Sequence, residues 1–276
     1  MAVRVVTDST SDLPTDLVAE HGITVVPLNV HFGAETLRDG VDITPDAFFQ
    51  RLPGSRVLPK TSQPSVAAFG DVYGRLLNEG HEIVSVHISE KLSGTMNSAR
   101  QAAQEAKSDR IEVVDTQGAS LWVGLVALEA ARAAEAGGTR EEVARVAREA
   151  SFKVRLFFVL DTLEYLQKGG RIGKAQALLG SLLSIKPVLT VREGEVHPHE
   201  RVRTRVRALE RIRELMKEGS PYDEIAVVHA TSPDEARSLA TDAASLSKRP
   251  VITTRVGPVI GVYTGPGLIG VAMRKP

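Results

Sequence analysis

Residues 83–114 read IVSVHISEKLSGTMNSARQAAQEAKSDRIEVV and contain one complete unit of a strand, a loop, a helix and a second strand. The apolar run at 83–88 predicts a buried strand. An alanine-rich helix then begins at 93–95, and 111–114 predicts the next strand. Strands that alternate with helices in this way are typical of a parallel sheet that is covered by its helices.

The same alternation continues on both sides of this stretch. Apolar runs at 3–6 and 23–30 predict strands, and Thr139 with Glu142 has the spacing of a capping box at the start of a helix over 140–150. Other predicted helices begin near Pro14, at Pro45, at Pro64 and at about residue 119. We therefore predict an α/β fold with an N-terminal domain built on a doubly wound, mostly parallel sheet. Ligands are expected near the carboxyl ends of its strands.

The pattern changes after Ser151, where strands follow one another with fewer helices between them. A hairpin is predicted around Glu193-Gly194. The predicted strands lie at 156–160, 185–191, 195–199, 225–230, 251–254, 259–262 and 268–273, and the predicted helices at 161–167 and 203–218. This mixture is typical of an α+β domain. We therefore expect two domains, 1–150 and 151–276, with a ligand bound between them.

Composition narrows the classes of function. The 34 Lys and Arg residues balance the 34 Asp and Glu residues, so bulk charge does not favour binding to nucleic acid or to an anionic membrane. The absence of cysteine removes disulfides, thiolate metal sites and thiol nucleophiles. The N-terminus shows no apolar signal segment, and no apolar run approaches the roughly 18 residues of a membrane span. We therefore expect a cytoplasmic protein that does not insert stably into a membrane.

Two turns have the character of an anion site. At Ser93 to Thr95, the unpaired backbone N–H groups of a helix start are combined with two hydroxyls, and Gly94 allows a ligand to approach the backbone closely. Residues 60–65, Lys-Thr-Ser-Gln-Pro-Ser, repeat this chemistry before another helix. Both turns could bind a carboxylate or a phosphate at the same edge of the sheet. Ordinary helix capping is the alternative for each of them.

A third candidate is the turn at 168–171, in which Arg171 could bind an oxyanion bidentately. A nucleotide P-loop is not predicted, because Lys168 and Ala175 occupy positions where the motif requires Gly and Ser or Thr. A solvated arginine after a helix is the alternative. The Gly- and Pro-rich segment 257–267 predicts a loop that packs beside a cleft, since no helix follows its match to a dinucleotide motif.

The remaining signals for chemistry are sparse. No G-x-S-x-G elbow and no H-E-x-x-H pair occurs, and we predict no metal site. His197 and His199 alternate along a strand and could bind a metal, but no carboxylate partner is evident, and a surface pair is the alternative. Six arginines between 201 and 213 predict a solvated helix face or, alternatively, a docking surface for an acidic protein.

Several short motifs occur in a fixed order along the chain. They are Thr7-Asp8-Ser9, Pro27-Leu28, Asp39-Gly40, Thr61-Ser62-Gln63-Pro64-Ser65, Leu92-Ser93-Gly94-Thr95, Thr162-Leu163-Glu164-Tyr165-Leu166, Gly169-Gly170-Arg171-Ile172, Ile185-Lys186-Pro187 and Gly265-Pro266-Gly267. The ordered set resembles the DegV family of bacterial fatty-acid-binding proteins over essentially the whole chain. The resemblance implies a two-domain α/β protein that holds one fatty acid with its tail buried and uses no other cofactor. It also implies a separate ATP-dependent fatty acid kinase as partner, which converts the presented carboxylate into an acyl phosphate for phospholipid synthesis.

The resemblance assigns residues to the ligand. It places Thr61 and Ser93 on the fatty-acid carboxylate, Gly94 and Thr95 beside it, and Arg171 towards the head group or the nascent acyl phosphate. The chain departs from the family pattern at Tyr263, where the family typically has His before Thr-Gly-Pro-Gly. A phenol can donate a hydrogen bond but stays neutral near pH 7, which is about three units below its ordinary pKa.

Two other functions remain open from the sequence. The chain could be a small-molecule hydrolase or phosphotransferase that uses Ser93 as nucleophile, with a histidine that the sequence does not identify. It could also be an interaction protein that uses the arginines between 201 and 213. A site of hydroxyls, backbone N–H groups and one arginine has no obvious base, so we expect a ligand-binding carrier and not an enzyme.

Overall fold

The structure is a computed structural model that describes residues 2–55, 57–181 and 185–276. The first region of the chain contains seven strands and six α-helices in the described residues. They are β1 (Val3–Asp8), α1 (Thr15–Glu20), β2 (Thr24–Val26), β3 (Asn29–Phe32), β4 (Glu35–Arg38), α2 (Pro45–Arg51), β5 (Lys60–Ser62), α3 (Val66–Asn78), β6 (Glu82–His87), α4 (Thr95–Glu105), β7 (Ile111–Asp115), α5 (Leu121–Glu135) and α6 (Arg140–Lys153). We call β1 to α6 the N-terminal region.

The rest of the chain, which we call the C-terminal region, contains six strands and four α-helices in the described residues. They are β8 (Val154–Val159), α7 (Glu164–Lys168), β9 (Val188–Arg192), β10 (Glu195–Glu200), α8 (Arg205–Gly219), β11 (Glu224–His229), α9 (Pro233–Ala243), β12 (Ile252–Arg255), α10 (Pro258–Thr264) and β13 (Ile269–Arg274). In the described ranges, no helix is both long enough and apolar enough to cross a membrane.

The N-terminal region is built on a parallel sheet with strand order β2-β1-β6-β7. Successive residues of a strand point to opposite faces, so the sheet can bury a layer of helices on each side. Val6 and Ile83 pack with α3 and α4, whereas Val5 and Val84 pack with α5 and α6. The predicted doubly wound arrangement is therefore confirmed.

The C-terminal region is built on a separate mixed sheet with strand order β10-β9-β8-β13-β11-β12. Its β11 and β12 are parallel and the other neighbours are antiparallel. The predicted hairpin between β9 and β10 turns at Glu193 and Gly194, which both have positive φ. A parallel sheet and a separate mixed sheet confirm the predicted α/β fold class.

Helix α5 joins the two sheets. It contacts β1 and β6 of the parallel sheet and also β8, β11 and β13 of the mixed sheet. Its residues are buried almost all round, as expected for a helix that is apolar on every face. At its end, Arg132 donates to both carboxylate oxygens of Glu224 at 2.7 Å. Because α5 packs on both sheets, its contacts do not mark a boundary between two domains. The predicted division into domains 1–150 and 151–276 therefore stays a proposal.

The structure corrects two predicted strands. The single strand expected at 23–30 is split at Pro27, which lacks the N–H that would continue the ladder. Residues before it form β2, and residues after it form β3 of a small antiparallel sheet with order β4-β3-β5. The strand expected at 259–262 is instead helix α10, which begins with Pro258 at its first position. The sequence signal for a helix start was therefore present.

Candidate functional site

A cavity of about 870 Å³, part of it open to solvent, lies between the two regions. Its walls include Thr10, Ile88 and Ser93, which follow the carboxyl ends of β1 and β6, and Leu156 and Phe158 of β8. This is the position at which open α/β sheets bind ligands.

Most of the cavity wall is aliphatic or aromatic. Both regions contribute to it, with Leu28, Ile88 and Leu92 from the N-terminal region and Leu156, Phe158 and Val228 from the C-terminal region. The sequence analysis assigned none of these residues to the ligand, because most of them also fit the pattern of a core strand or helix. The wall can therefore receive a long apolar group away from water.

Polar side chains from four separate elements meet at one part of this wall. Thr61 lies on β5, Ser93 in the loop before α4, Arg171 in the turn after α7, and Tyr263 on α10. The hydroxyls of Thr61 and Tyr263 share a hydrogen bond of 2.6 Å. The structure thus brings together four of the six predicted site residues. We call this group the polar cluster.

The Arg171 side chain is held beside Ser93 by backbone groups. Its Nε donates to the carbonyl oxygen of Leu92 at 3.0 Å, and its Nη1 donates to that of Gly169 at 2.9 Å. The guanidinium carbon lies 5.2 Å from the centre of the Tyr263 ring, which is a cation–π distance. Among the described residues, no carboxylate lies within ion-pair distance of Arg171. Its positive charge can therefore act on an anion at the cavity.

The other two predicted site residues, Gly94 and Thr95, follow Ser93 in the chain and do not line the cavity. The hydroxyls of Ser93 and Thr95 are 2.8 Å apart, and the Thr95 side chain is buried. The end of the Gln63 side chain packs over Gly94, where a Cβ would lie 2.9 Å from its Nε2. The two segments that the sequence marked as anion sites therefore meet.

No partner of Ser93 in the described structure resembles a catalytic base, since its hydroxyl bonds to Thr95. A Ser–His–Asp chain does occur elsewhere, in the core of the N-terminal region. Oγ of Ser85 lies 2.7 Å from Nε2 of His87, and Nδ1 of His87 lies 2.9 Å from Oδ2 of Asp8. All three side chains are fully buried. The alternation of Ser85 and His87 on one face of β6 was the sequence signal for this network, and burial keeps it from any substrate.

The arginine-rich segment between 201 and 213 is largely neutralised. Arg205 lies at the start of α8, where its guanidinium binds Glu235 and Asp161 and donates to the carbonyl of Gly267 at 2.7 Å. The other ion-paired arginines here are Arg207, Arg211 and Arg213. Four of the six arginines are therefore ion-paired on α8, whereas Arg201 and Arg203 precede the helix and are exposed.

His197 and His199, the pair that could have bound a metal, do not belong to a metal-binding cluster in the described residues. The ring of His199 packs 4.7 Å from that of Phe157. Within the part of the chain that the structure describes, no group of three His, Asp or Glu side chains could hold a metal ion.

The chain is similar to DegV proteins along its whole length. A sequence model described as "Uncharacterised protein, DegV family" matches residues 2–275. A DegV domain-containing protein of Streptomyces coelicolor is 42% identical over 282 residues, which cover 99% of this chain and 98% of the relative.

Solved structures agree with this similarity. A fatty-acid-binding DegV family protein from Thermus thermophilus has a TM-score of 0.94 at 40% identity, with 100% of both chains covered. DegV of Bacillus subtilis, a fatty-acid-binding protein, has a TM-score of 0.87 at 33% identity, again with 100% of both chains covered. The resemblance seen in the ordered motifs is confirmed by both sequence and fold, and this chain belongs to the DegV family.

Proposed function

We propose that this protein binds one long-chain fatty acid and carries it to a separate fatty acid kinase. The acyl tail would occupy the aliphatic cavity, and the carboxylate would accept hydrogen bonds from Ser93, Arg171 and Thr61, whose proton is available when the Tyr263 hydroxyl donates to Thr61. The observation that carries this proposal is the cavity itself, which is apolar along most of its wall and ends in hydroxyls and a guanidinium. Its relatives from Thermus thermophilus and Bacillus subtilis bind fatty acids.

The energetics suit a carrier. Burial of about fifteen methylenes stabilises a complex by roughly 10 kcal/mol before the entropy lost on association is subtracted. The tail would therefore supply most of the affinity. Hydroxyls and a guanidinium bind an ionised carboxylate more strongly than they bind a neutral group, so the polar cluster would fix which end of the ligand faces outwards.

The outward-facing end supports presentation to a partner. Thr61, Arg171 and Tyr263 border both the cavity and an adjoining groove, in which Lys60 and Lys168 lie. A carboxylate held at this junction would be open to a kinase active site. We propose that the kinase uses ATP to form an acyl phosphate for phospholipid synthesis and that this takes place in the cytoplasm. The chain by itself would hold the acid without converting it.

A titration tests the binding step. The delipidated protein is titrated with palmitate and with hexadecanol, which has the same chain length and no charge. We expect one palmitate per chain and at least about tenfold weaker binding of the alcohol, as for the loss of a charged hydrogen-bond partner. Equal affinity for both would contradict the assigned carboxylate site.

A coupled reaction tests the carrier step. Palmitate-loaded protein is mixed with ATP and a purified bacterial fatty acid kinase, and acyl phosphate is trapped with hydroxylamine as the hydroxamate. We expect product only when this protein is present. Equal product from free palmitate, or none from the loaded protein, would count against presentation to a kinase.

A further inference from the structure

Helix α10 connects the cavity to the N-terminal region. Its Val259, Ile260 and Tyr263 line the cavity, although the helix belongs to the C-terminal region. On its other side, a Cβ at Gly261 would lie 2.7 Å from Cε1 of Phe48, so the helix is seated closely against α2. Any movement of α10 would therefore change the cavity wall and the position of the Tyr263 hydroxyl together.

Two buried carboxylates of the N-terminal region hold the first turn of this helix. Oδ1 of Asp12 accepts a hydrogen bond from the backbone N–H of Gly257 at 2.7 Å, and Oδ2 of Asp39 accepts one from that of Val259 at 3.4 Å. Both side chains are buried, with relative exposures of 6% and 4%. A Cβ at Gly257 would lie 3.1 Å from Asp12 and 3.2 Å from Asp39, so glycine allows both carboxylates to approach the helix start.

We call Asp12 and Asp39, together with the first turn of α10, the clasp. A serine with a strained backbone links the clasp to the cavity. Ser120 lines the cavity and has φ 56° and ψ −139°. Residues other than glycine rarely adopt this backbone conformation, which costs on the order of 1–3 kcal/mol. Its hydroxyl donates to Oδ2 of Asp12, and the Ser9 hydroxyl donates to Oδ2 of Asp39 at 3.0 Å. Asp12 therefore bridges the cavity wall at Ser120 and the start of α10.

We infer that Asp12 and Asp39 are positioning residues that seat α10 on the N-terminal region and thereby keep the Tyr263 hydroxyl on Thr61 at the polar cluster. The inference rests on the proposed fatty-acid binding for its effect on affinity. The seating of the helix is a property of the protein with or without ligand. The two carboxylates thus act on the ligand through α10 and do not touch it.

The stability of the contact between α10 and the N-terminal region depends on pH, because the carboxylates of Asp12 and Asp39 are buried there. Burial raises the pKa of Asp12 to about 8 and that of Asp39 to about 7. If α10 lifts and water reaches the carboxylates, both pKa values return towards the ordinary value of 3.8. The seated helix therefore binds protons more tightly than the lifted one. Its stabilisation is complete below the ordinary pKa of 3.8 and is lost progressively until the pH has risen through about 8.

The other charged groups around the clasp are bound to other partners and do not hold the start of α10. Asp8 lies nearby but is bound to His87 and Thr10. Arg255, which precedes the helix, is directed to Asp46 and to the carbonyl of Ala230. Helix α10 itself carries no charged side chain. The pH response of the helix should therefore follow Asp12 and Asp39.

Hydrogen–deuterium exchange tests the seating without any ligand. Protection factors of residues 257–264 are measured at about pH 6.5 and 8.5 in the wild type, in the double variant Asp12→Asn/Asp39→Asn and in Asp42→Asn. Asp42 is the matched control, because it lies three residues from Asp39, is exposed and binds Arg38. Segment 233–243 of α9 serves as an internal reference. We expect at least about a tenfold loss of α10 protection at the higher pH in the wild type and in Asp42→Asn, and none in the double variant, whose amides stay neutral.

A palmitate titration of the same proteins tests the effect on the site. We expect affinity to fall at the higher pH in the wild type and to stay constant in the double variant. An unchanged α10 in the wild type would overturn the inference even if the double variant did not fold, and so would an identical pH response in both proteins. Altered exchange with unaltered palmitate affinity would also overturn the positioning role. Absence of palmitate binding at both pH values would instead refute the proposed function, while the exchange result would still decide whether the clasp exists.

Discussion

Replacement of Ser93 by alanine removes one hydroxyl from the polar cluster and leaves the aliphatic wall intact. In the proposed complex this hydroxyl donates to an ionised carboxylate, and a hydrogen bond to a charged group is worth about 1.5–3 kcal/mol. At about 1.4 kcal/mol for each factor of ten, we expect Kd for palmitate to rise by roughly 10- to 100-fold. The tail contacts are unchanged, so binding should weaken and not disappear.

The same substitution also affects the protein without ligand. Oγ of Ser93 bonds the hydroxyl of Thr95 at 2.8 Å and accepts the Thr95 N–H at 3.3 Å. Because Thr95 is fully buried, Ser93→Ala leaves its hydroxyl without that partner, which costs about 1–3 kcal/mol of folding free energy. A loss of affinity could therefore come from a disturbed start of α4 and not from the missing donor.

Thr95→Val separates these causes, because it disrupts the same pair from the buried side and does not alter the cavity wall. Palmitate affinity is measured by displacement of a fluorescent fatty acid, and stability by urea unfolding, in both variants. We expect both to lose stability, but only Ser93→Ala to lose roughly tenfold or more in affinity. Ser93→Ala with wild-type affinity, or Thr95→Val with the same loss, would refute the assignment of Ser93 to the carboxylate.

Four further substitutions test three separate contacts. Thr61→Val and Tyr263→Phe remove the same hydrogen bond, so their effects on the unfolding free energy should be non-additive by about 0.5–1.5 kcal/mol, and strict additivity would argue against that bond. Arg171→Gln should weaken palmitate binding by about tenfold or more and leave hexadecanol binding unchanged, whereas an equal loss for both would point to damaged packing. His87→Ala should lower the unfolding free energy in urea by about 1–3 kcal/mol, since it removes a buried hydrogen-bond partner from Asp8 and from Ser85; an unchanged unfolding free energy would contradict that network.

Elements with local start signals could be predicted from the sequence. The Thr44 cap before Pro45 and the capping box of Thr139 and Glu142 are both present in the structure. The strand, loop and helix around residues 83–107 were also predicted within a few residues. Such signals work because a helix start is satisfied by side chains within three residues of it, so all the interacting groups are neighbours in sequence.

Elements that depend on distant contacts could not be predicted in this way. The apolar run at 259–262 fits a strand or a helix equally well, and its helical state is fixed by Pro258 together with Asp12 and Asp39. Asp12 precedes the helix start predicted near Pro14, a position typical of a local capping residue, yet its carboxylate binds the N–H of Gly257, which lies 245 residues away. Nothing in the neighbouring sequence indicates that contact.

The polar cluster could be predicted in part from local sequence signals, whereas the cavity depends on distant contacts and could not. Ser93 lies in a loop and Thr61 on the short strand β5, and the residue types around both already indicate an anion site, so both could be predicted from the sequence. The cavity wall consists of ordinary core residues such as Leu156 and Phe158. Whether such residues pack against each other or leave a space is decided by the arrangement of the two sheets and α5, which no local pattern encodes.

Mass spectrometry of the gently purified protein tests the central claim most directly. Native spectra give the mass of any bound ligand, and lipid extraction of the same sample identifies it. We predict one fatty acid per chain, which is released on denaturation and restored when palmitate is added to the delipidated protein. No bound acyl chain, together with no complex and no thermal stabilisation after palmitate is added, would contradict the assignment of the cavity to a fatty acid.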